Sequence, residues 1–315
     1  MKEPTLTFLG TGTSQGIPII GCKCRVCKSA DSRDKRFRAS ALIRWNGLSI
    51  LIDAGPDFRS QMLEAGVDHL DAILLTHNHK DHTGGLDDVR SLNYIDRKAM
   101  EIYCEPKVLD SLRHEYSYAF AEKKYPGAPE WHIHTISENP FRLRSNADCG
   151  ELEWVHDKGY LYRQKDGSLI PSDGIIREAE PVTDPAGAGT MDSVPFVDVI
   201  PIRGYHDSMP VLGFRFGDIA YITDMSRLGD GEIRKIQGLK HLTLNTVGYH
   251  KHHSHFSLDE ALALADEIGA KYTWLTHLSH AFPPYEEFSR ELSSLCRAKG
   301  IRSKVQPAYD SLTIR

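Results

Sequence analysis

Apolar residues fall in short runs between loops punctuated by glycine and proline, and the runs follow two rhythms. Residues 6–9 read as a short strand entering the loop Gly10-Thr11-Gly12-Thr13-Ser14-Gln15-Gly16. Residues 41–44 and 49–53 read as strands joined at Asn46-Gly47, a dipeptide suited to tight hairpin turns. Residues 72–76 are almost purely apolar, the pattern of a strand buried on both faces. Further strands are expected at 196–202, 211–216, 219–223 and 273–276. Helical spacing marks 58–65, 86–92, 106–121, 258–268 and 285–299. In 258–268, Ser257 stands where a cap belongs, and Leu258, Ala261, Leu262 and Ala265 share one face. Strands alternating with helices in this order predict an α/β fold of layered sheets covered by helices.

Residues 150–195 break the pattern. They are rich in Gly, Pro, Asp and Ser and read as an insertion within one domain spanning residues 1–315. Within it, residues 160–170 suggest a hairpin turning at Asp166-Gly167, and 187–193 suggest a mobile loop. The segment carries Lys158, Arg163, Lys165 and Arg177, but acidic residues outnumber them, so it does not resemble a basic arm for RNA.

Composition changes this picture little. The 315 residues are 40% hydrophobic and 26% charged, as in ordinary globular proteins, and the net charge of −5 gives no general attraction to nucleic acid or anionic lipid. No run reaches the roughly 18 apolar residues of a membrane span, and the N-terminus reads as a strand instead of a signal peptide. Cytoplasmic location, no membrane partner and, where self-association occurs, a homodimer are the expectations. Three of the six cysteines lie together as Cys22, Cys24 and Cys27, while Cys104, Cys149 and Cys296 are scattered. With no export signal, a disulfide set is not expected.

The sharpest chemical signal is Thr76-His77-Asn78-His79-Lys80-Asp81-His82-Thr83-Gly84-Gly85. Three histidines and an aspartate follow a buried strand directly, and imidazole with carboxylate suits zinc, iron or manganese. His206, Asp224 and His277 stand in the same context, each a ligand-type residue after an apolar run. Asp224 has two oxygens and could bridge two cations. A second signal is Cys22-Lys23-Cys24-Arg25-Val26-Cys27, three thiolates able to face one zinc. A closed zinc site needs a fourth ligand. His280, three residues past His277, is the expected one, leaving His277 for the other metals.

Taken together, Leu51-Ile52-Asp53-Ala54-Gly55, the histidine motif, His206, Asp224 and His277 resemble the metallo-β-lactamase superfamily. The cysteines and Thr276-His277-Leu278-Ser279-His280 narrow the resemblance to cyclic-phosphate hydrolases of the carbon–phosphorus lyase kind, relatives of tRNA 3′-processing endonucleases. The 150–195 segment makes this chain longer than those hydrolases. The resemblance implies a four-layer αββα sandwich. It also implies two catalytic divalent ions, Zn²⁺ or Mn²⁺, with His77, His79 and His206 on one, Asp81, His82 and His277 on the other, and Asp224 between. Asp53 would be a buried supporting group, and one structural Zn²⁺ would sit on Cys22, Cys24, Cys27 and His280.

Such a centre makes hydroxide available near neutral pH and neutralises charge on a phosphoryl oxygen. Asp81 would orient the nucleophile or take its proton. From the loop Tyr249-His250-Lys251-His252-His253-Ser254-His255, His255 is the expected proton donor to the leaving group, since related enzymes carry a histidine there. Lys251 and Arg203 are candidate phosphate-attracting cations. The expected substrate is a small or cyclic nucleotide-like phosphodiester. RNA 3′-end processing, thioester hydrolysis and metal-stabilised binding without turnover are the competing readings.

Overall fold

The computed structural model describes every residue except 1, 2, 123, 146–150, 156, 157, 164, 165, 172–175, 186, 192 and 193. Cys149 and Lys165 lie outside the described residues. The chain divides into two compact units, one formed by Ile43–Asp198 and the other by Lys2–Leu42 with Val199–Arg315.

In the first unit, Leu48–Ile52, Ala72–Leu74, Met100–Cys104, Trp131–Thr135 and Ile176–Glu178 form a parallel run in that order, with Ile50 opposite Ala72, Ile73 opposite Ile102, Met100 opposite Trp131 and Ile133 opposite Ile176. The hairpin before it turns where expected. Asn46 at φ 51° and Gly47 at φ 88° are both left-handed, the geometry that tight hairpins require. Ile50, Leu51, Ile52, Ile73 and Leu74 are fully buried, as a two-faced strand demands. The helices Phe58–Ala65, Arg90–Asp96 and Pro106–Glu115 connect these strands.

Several expectations need correction. Residues 86–92 are not one helix: a 3₁₀ turn, Leu86–Val89, precedes Arg90–Asp96. The helix expected to 121 stops at Glu115, where the chain turns and the Tyr116 hydroxyl donates to the Thr83 carbonyl at 2.8 Å. The described residues between 151 and 195 form more strands than their composition suggests. Glu151–Val155, Gly159–Arg163 and Leu169–Pro171 form an antiparallel meander with Leu169 opposite Arg163, the hairpin expected around Asp166-Gly167. The expected loop at 187–193 is instead a strand, Ala188–Met191, laid antiparallel with Ala188 opposite Val197, while 192 and 193 lie outside the described residues. Its apolar signal is hidden because Gly189 leaves its place to the Phe196 ring, which a Cβ there would meet at 2.7 Å.

In the second unit, the part of the strand Val194–His206 that follows Asp198, Met209–Phe216 and Ile219–Tyr221 are antiparallel neighbours, and His241–Asn245, Tyr272–Thr276 and Lys304–Pro307 continue in parallel. The helix Leu258–Ile268 has the predicted start. Ser257 and Glu260 form a reciprocal capping box, a feature that stabilises by about 1 kcal/mol. Leu258, Ala261, Leu262 and Ala265 are buried in one cluster with Leu242, Leu244 and Leu275 from the sheet. Each fully buried leucine contributes about 1.5–3 kcal/mol. Helix Tyr285–Lys299 adds Phe288, Leu292 and Cys296 to the same core.

Candidate metal centre

In the first unit the strand Ala72–Leu74 delivers Thr76 and His77 into the interior, both essentially inaccessible to solvent. Asp53 organises the loop that carries them. Its carboxylate accepts the Thr76 amide at 2.8 Å, the Thr76 hydroxyl at 2.9 and 3.1 Å, and His82 Nδ1–H at 2.7 Å. Because the Thr76 hydrogen goes to Asp53, its oxygen accepts from His77 Nδ1, 2.9 Å away. Both His77 and His82 thereby turn Nδ1 to these supports, so that Nε2 is the atom each could offer to a metal. The His77 ring lies 4.6 Å from His79 and 4.2 Å from His82, and Asp81 Oδ2 is 3.3 Å from His82 Nε2. Burial raises the Asp53 carboxyl and His82 opposes this by favouring the anion. The sequence reading missed Thr76, whose hydroxyl joins the two supports.

Glycine is obligatory in this loop. A Cβ on Gly55 would stand 2.0 Å from the Asp81 carbonyl oxygen, and one on Gly85 2.1 Å from that of Gly55.

The second unit gathers His206, Asp224, His255 and His277. His277 Nδ1 lies 3.1 Å and His255 Nδ1 3.7 Å from different Asp224 oxygens. His206 Nδ1 donates to the Asp224 carbonyl at 3.2 Å, again leaving Nε2 outward. The His255 ring sits 4.6 Å from His206 and 4.7 Å from His277. Ligand atoms of His206, Asp224 and His255 lie within 4.8 Å of one another, so His255 stands among the donors themselves. Burial first, then the neighbouring His277, push His255 down to about 3, with Asp224 opposing. Asn245 was not anticipated: it holds Met225 through both amide atoms, at 3.0 and 2.9 Å, and so fixes the chain leaving Asp224.

Asp53, Asp224 and His277 all have left-handed backbones, with φ of 62°, 55° and 57°. Non-glycine residues in this region cost free energy and cluster at functional sites. Arg203, expected as a phosphate-attracting cation, is buried, with its guanidinium donating to the Val211 carbonyl at 3.3 Å. Lys251, His250, His252 and His253 lie on the exposed loop.

The cysteines and His280 also meet within the second unit. His280 Nδ1 is 3.3, 3.6 and 3.7 Å from the sulfurs of Cys22, Cys24 and Cys27. A tetrahedral zinc with bonds of about 2.3 Å to sulfur and 2.0–2.1 Å to nitrogen would place S and N about 3.6 Å apart. The Cys27 amide, 3.4 Å from the Cys24 sulfur, is the main cause of a Cys24 thiol lowered to about 6, and burial pushes Cys27 up to about 11.

Comparison with known proteins adds three relatives and a family. A family model described as a beta-lactamase superfamily domain matches residues 49–168 and 175–278. A Porphyromonas gingivalis protein named octanoyltransferase is 36% identical over 283 residues, covering 89% of this chain but 47% of that protein. The chain thus spans about half the length of that relative. A Streptomyces avermitilis protein named ribonuclease Z is 26% identical over 291 residues, 87% of this chain and 90% of the other. Among solved structures, a diphosphatase from the PhnP family is similar at 30% identity and TM-score 0.74, covering 99% of this chain and 98% of that one.

Proposed function

The chain belongs to the metallo-β-lactamase superfamily, whose αββα fold it shares; from this premise we propose that it is a hydrolase, and more narrowly a two-metal phosphodiesterase acting on a small or cyclic nucleotide-like phosphate. The observation that carries the reading is the commitment of Nδ1 on His77, His82 and His206 to internal acceptors, which presents Nε2 from each to a metal. A polar loop without a metal has no use for that shared orientation. The donors fit hard or borderline divalent ions, Zn²⁺ or Mn²⁺. His77, His79 and His206 would hold one ion, Asp81, His82 and His277 the other, and Asp224 both. Cys22, Cys24, Cys27 and His280 would hold a structural Zn²⁺. When bound, the catalytic ions supply hydroxide near neutral pH and offset charge on the phosphoryl group.

The chain's own residues do the rest. Asp53 and Thr76 hold the imidazoles in one tautomer. Asp81, partly accessible at 16%, would orient the nucleophile or take its proton. His255 would meet the leaving oxygen; burial keeps its imidazole neutral, so it would take up the proton it donates only once the negative charge of the phosphate stands beside it.

A small substrate is favoured over RNA by the charge pairing of the 150–195 segment. Arg163 is held by Glu153 at 3.0 and 2.7 Å, and Arg177 lies 3.6 Å from Glu101, so these cations are already partnered by acids. The similarity to a diphosphatase puts a nucleoside diphosphate ester among the test substrates, and the octanoyltransferase name puts an octanoyl thioester there. Metal-loaded protein is expected to hydrolyse bis(p-nitrophenyl) phosphate and a 2′,3′-cyclic nucleotide. Thioester cleavage without phosphoester cleavage would overturn the proposal.

A further inference from the structure

The glycine-punctuated loop at residues 10–16 supplies no ligand to either donor set, yet its Thr11 is fully buried and lies at the centre of a hydrogen-bonded strut. Arg36 Nη1 donates to the Thr11 hydroxyl and to the Ala308 carbonyl, both at 2.7 Å. The Thr11 hydroxyl donates to Asp310 Oδ1 at 2.6 Å, and Asp310 Oδ2 accepts the Phe37 amide at 2.6 Å. The Thr11 backbone completes the strut, its carbonyl accepting the Leu278 amide at 2.8 Å.

Leu278 stands between the two histidines that serve the two donor sets. On one side is His277, held left-handed at φ 57° with Nδ1 3.1 Å from Asp224. On the other is His280, whose Nδ1 faces the three sulfurs. The same strut reaches the cysteine loop from its other end. Arg36 and Ile17 exchange backbone hydrogen bonds at 2.8 Å, and Ile19 donates its amide to the Cys27 sulfur at 3.4 Å. A side chain buried this completely, with its hydroxyl engaged by a guanidinium and a carboxyl group together, defines the position of the backbone it belongs to.

Resting on the reading of these residues as metal donors, we infer that Thr11, clamped between Arg36 and Asp310, is a positioning residue that fixes the thiolate set and the imidazole–carboxylate set of this unit at once. Supporting groups of this kind change metal affinity about 10–100-fold when removed.

The test is cobalt binding by the full chain. Co²⁺ on thiolates gives sulfur-to-metal charge-transfer absorption, and Co²⁺ on imidazole and carboxylate gives weaker d–d bands, so the two sets are titrated separately against a chelator. Thr11→Val keeps the branched shape and removes the hydroxyl. It is expected to weaken both sets about 10–100-fold, whereas Thr11→Ser keeps the hydroxyl and stays within about threefold of wild type. If Thr11→Val does not fold, Asp310→Asn is read in its place, with the same direction expected. Wild-type affinity at both sets in a variant that merely melts earlier would overturn the inference, as would loss confined to one set. Absence of either band in the wild-type protein would instead overturn the metal reading on which the inference rests.

Discussion

Gly55→Ala separates site geometry from general stability. The new Cβ would stand 2.0 Å from the Asp81 carbonyl oxygen and 2.9 Å from its carbonyl carbon, both backbone atoms that cannot swing away as a side chain could. A tolerable contact of about 3.2 Å requires the Asp81 backbone to retreat by about 1.2 Å. Overpacking of this kind costs about 1–3 kcal/mol, a fall in Tm of roughly 2–12 °C for a unit of this size. The effect on function should be larger. A displacement near 1 Å in catalytic machinery lowers rate about 100-fold, and the residue displaced is Asp81, next to His82. Gly66→Ala is the matched control. Gly66 is left-handed at φ 60° with nothing within 4 Å of a new Cβ, so it carries only the backbone cost of about 1–2 kcal/mol. Melting curves, bound metal by elemental analysis, and kcat/KM on bis(p-nitrophenyl) phosphate would be measured for both. The expected result is similar loss of Tm in both variants, with turnover falling about 100-fold in Gly55→Ala alone. Gly55→Ala protein with wild-type turnover would refute the claim that this contact sets the position of Asp81.

Cys24→Ser opens a thiolate set whose metal energy supports folding, so Tm and tightly held zinc should fall more than the turnover of the folded fraction; an unchanged melting curve would count against a structural zinc. His255→Ala should lose about 10²–10⁴-fold on a 2′,3′-cyclic nucleotide, whose alkoxide needs a proton, and far less on bis(p-nitrophenyl) phosphate; equal losses would assign His255 to phosphate or metal binding. The hydrogen bond to Asp71, against the pull of burial and with help from Asp96, raises His69 to about 9. This raised value means that its contribution to stability is complete below its ordinary 6.5 and is lost as pH climbs through about 9; an NMR titration placing His69 near 6.5 would contradict the pairing.

The parts of the fold visible in the sequence were those where one physical demand dominated. Ala72, Ile73 and Leu74 are apolar because both faces are covered, and Asn46-Gly47 turns left-handed because the hairpin twist requires it. The candidate ligands were visible for a related reason: a buried strand ending in histidine or aspartate has few other uses. Strands at Met100–Cys104 and Trp131–Thr135 were less visible because Glu101, His132 and His134 interrupt the apolar run. The structure shows them satisfying one another, with His132 Nδ1 2.9 Å from Glu101 and His134 bonded to its other oxygen. Burial alone would raise Glu101, but these two histidines outweigh it and bring the carboxyl to about 2. The strand carrying His206 runs on past 202 because Gly204 has no side chain. A Cβ there would meet the Met225 sulfur at 2.0 Å, a contact between residues distant in sequence. Thr76, Asn245 and Thr11 escaped notice for the same reason, since a buried hydroxyl or amide acquires its meaning from partners that only the fold supplies.

The central claim, a hydrolase with two kinds of metal set, is tested most directly by metal stoichiometry before and after mild chelation, with hydrolysis of bis(p-nitrophenyl) phosphate followed in the same samples. The account predicts up to three ions per chain, one zinc that resists chelation, and activity that disappears with the labile ions and returns with Mn²⁺ or Zn²⁺. Asp81→Ala should keep the resistant zinc and stay inactive after reloading. Loss of all metal at one rate, or full activity in chelated protein, would contradict it.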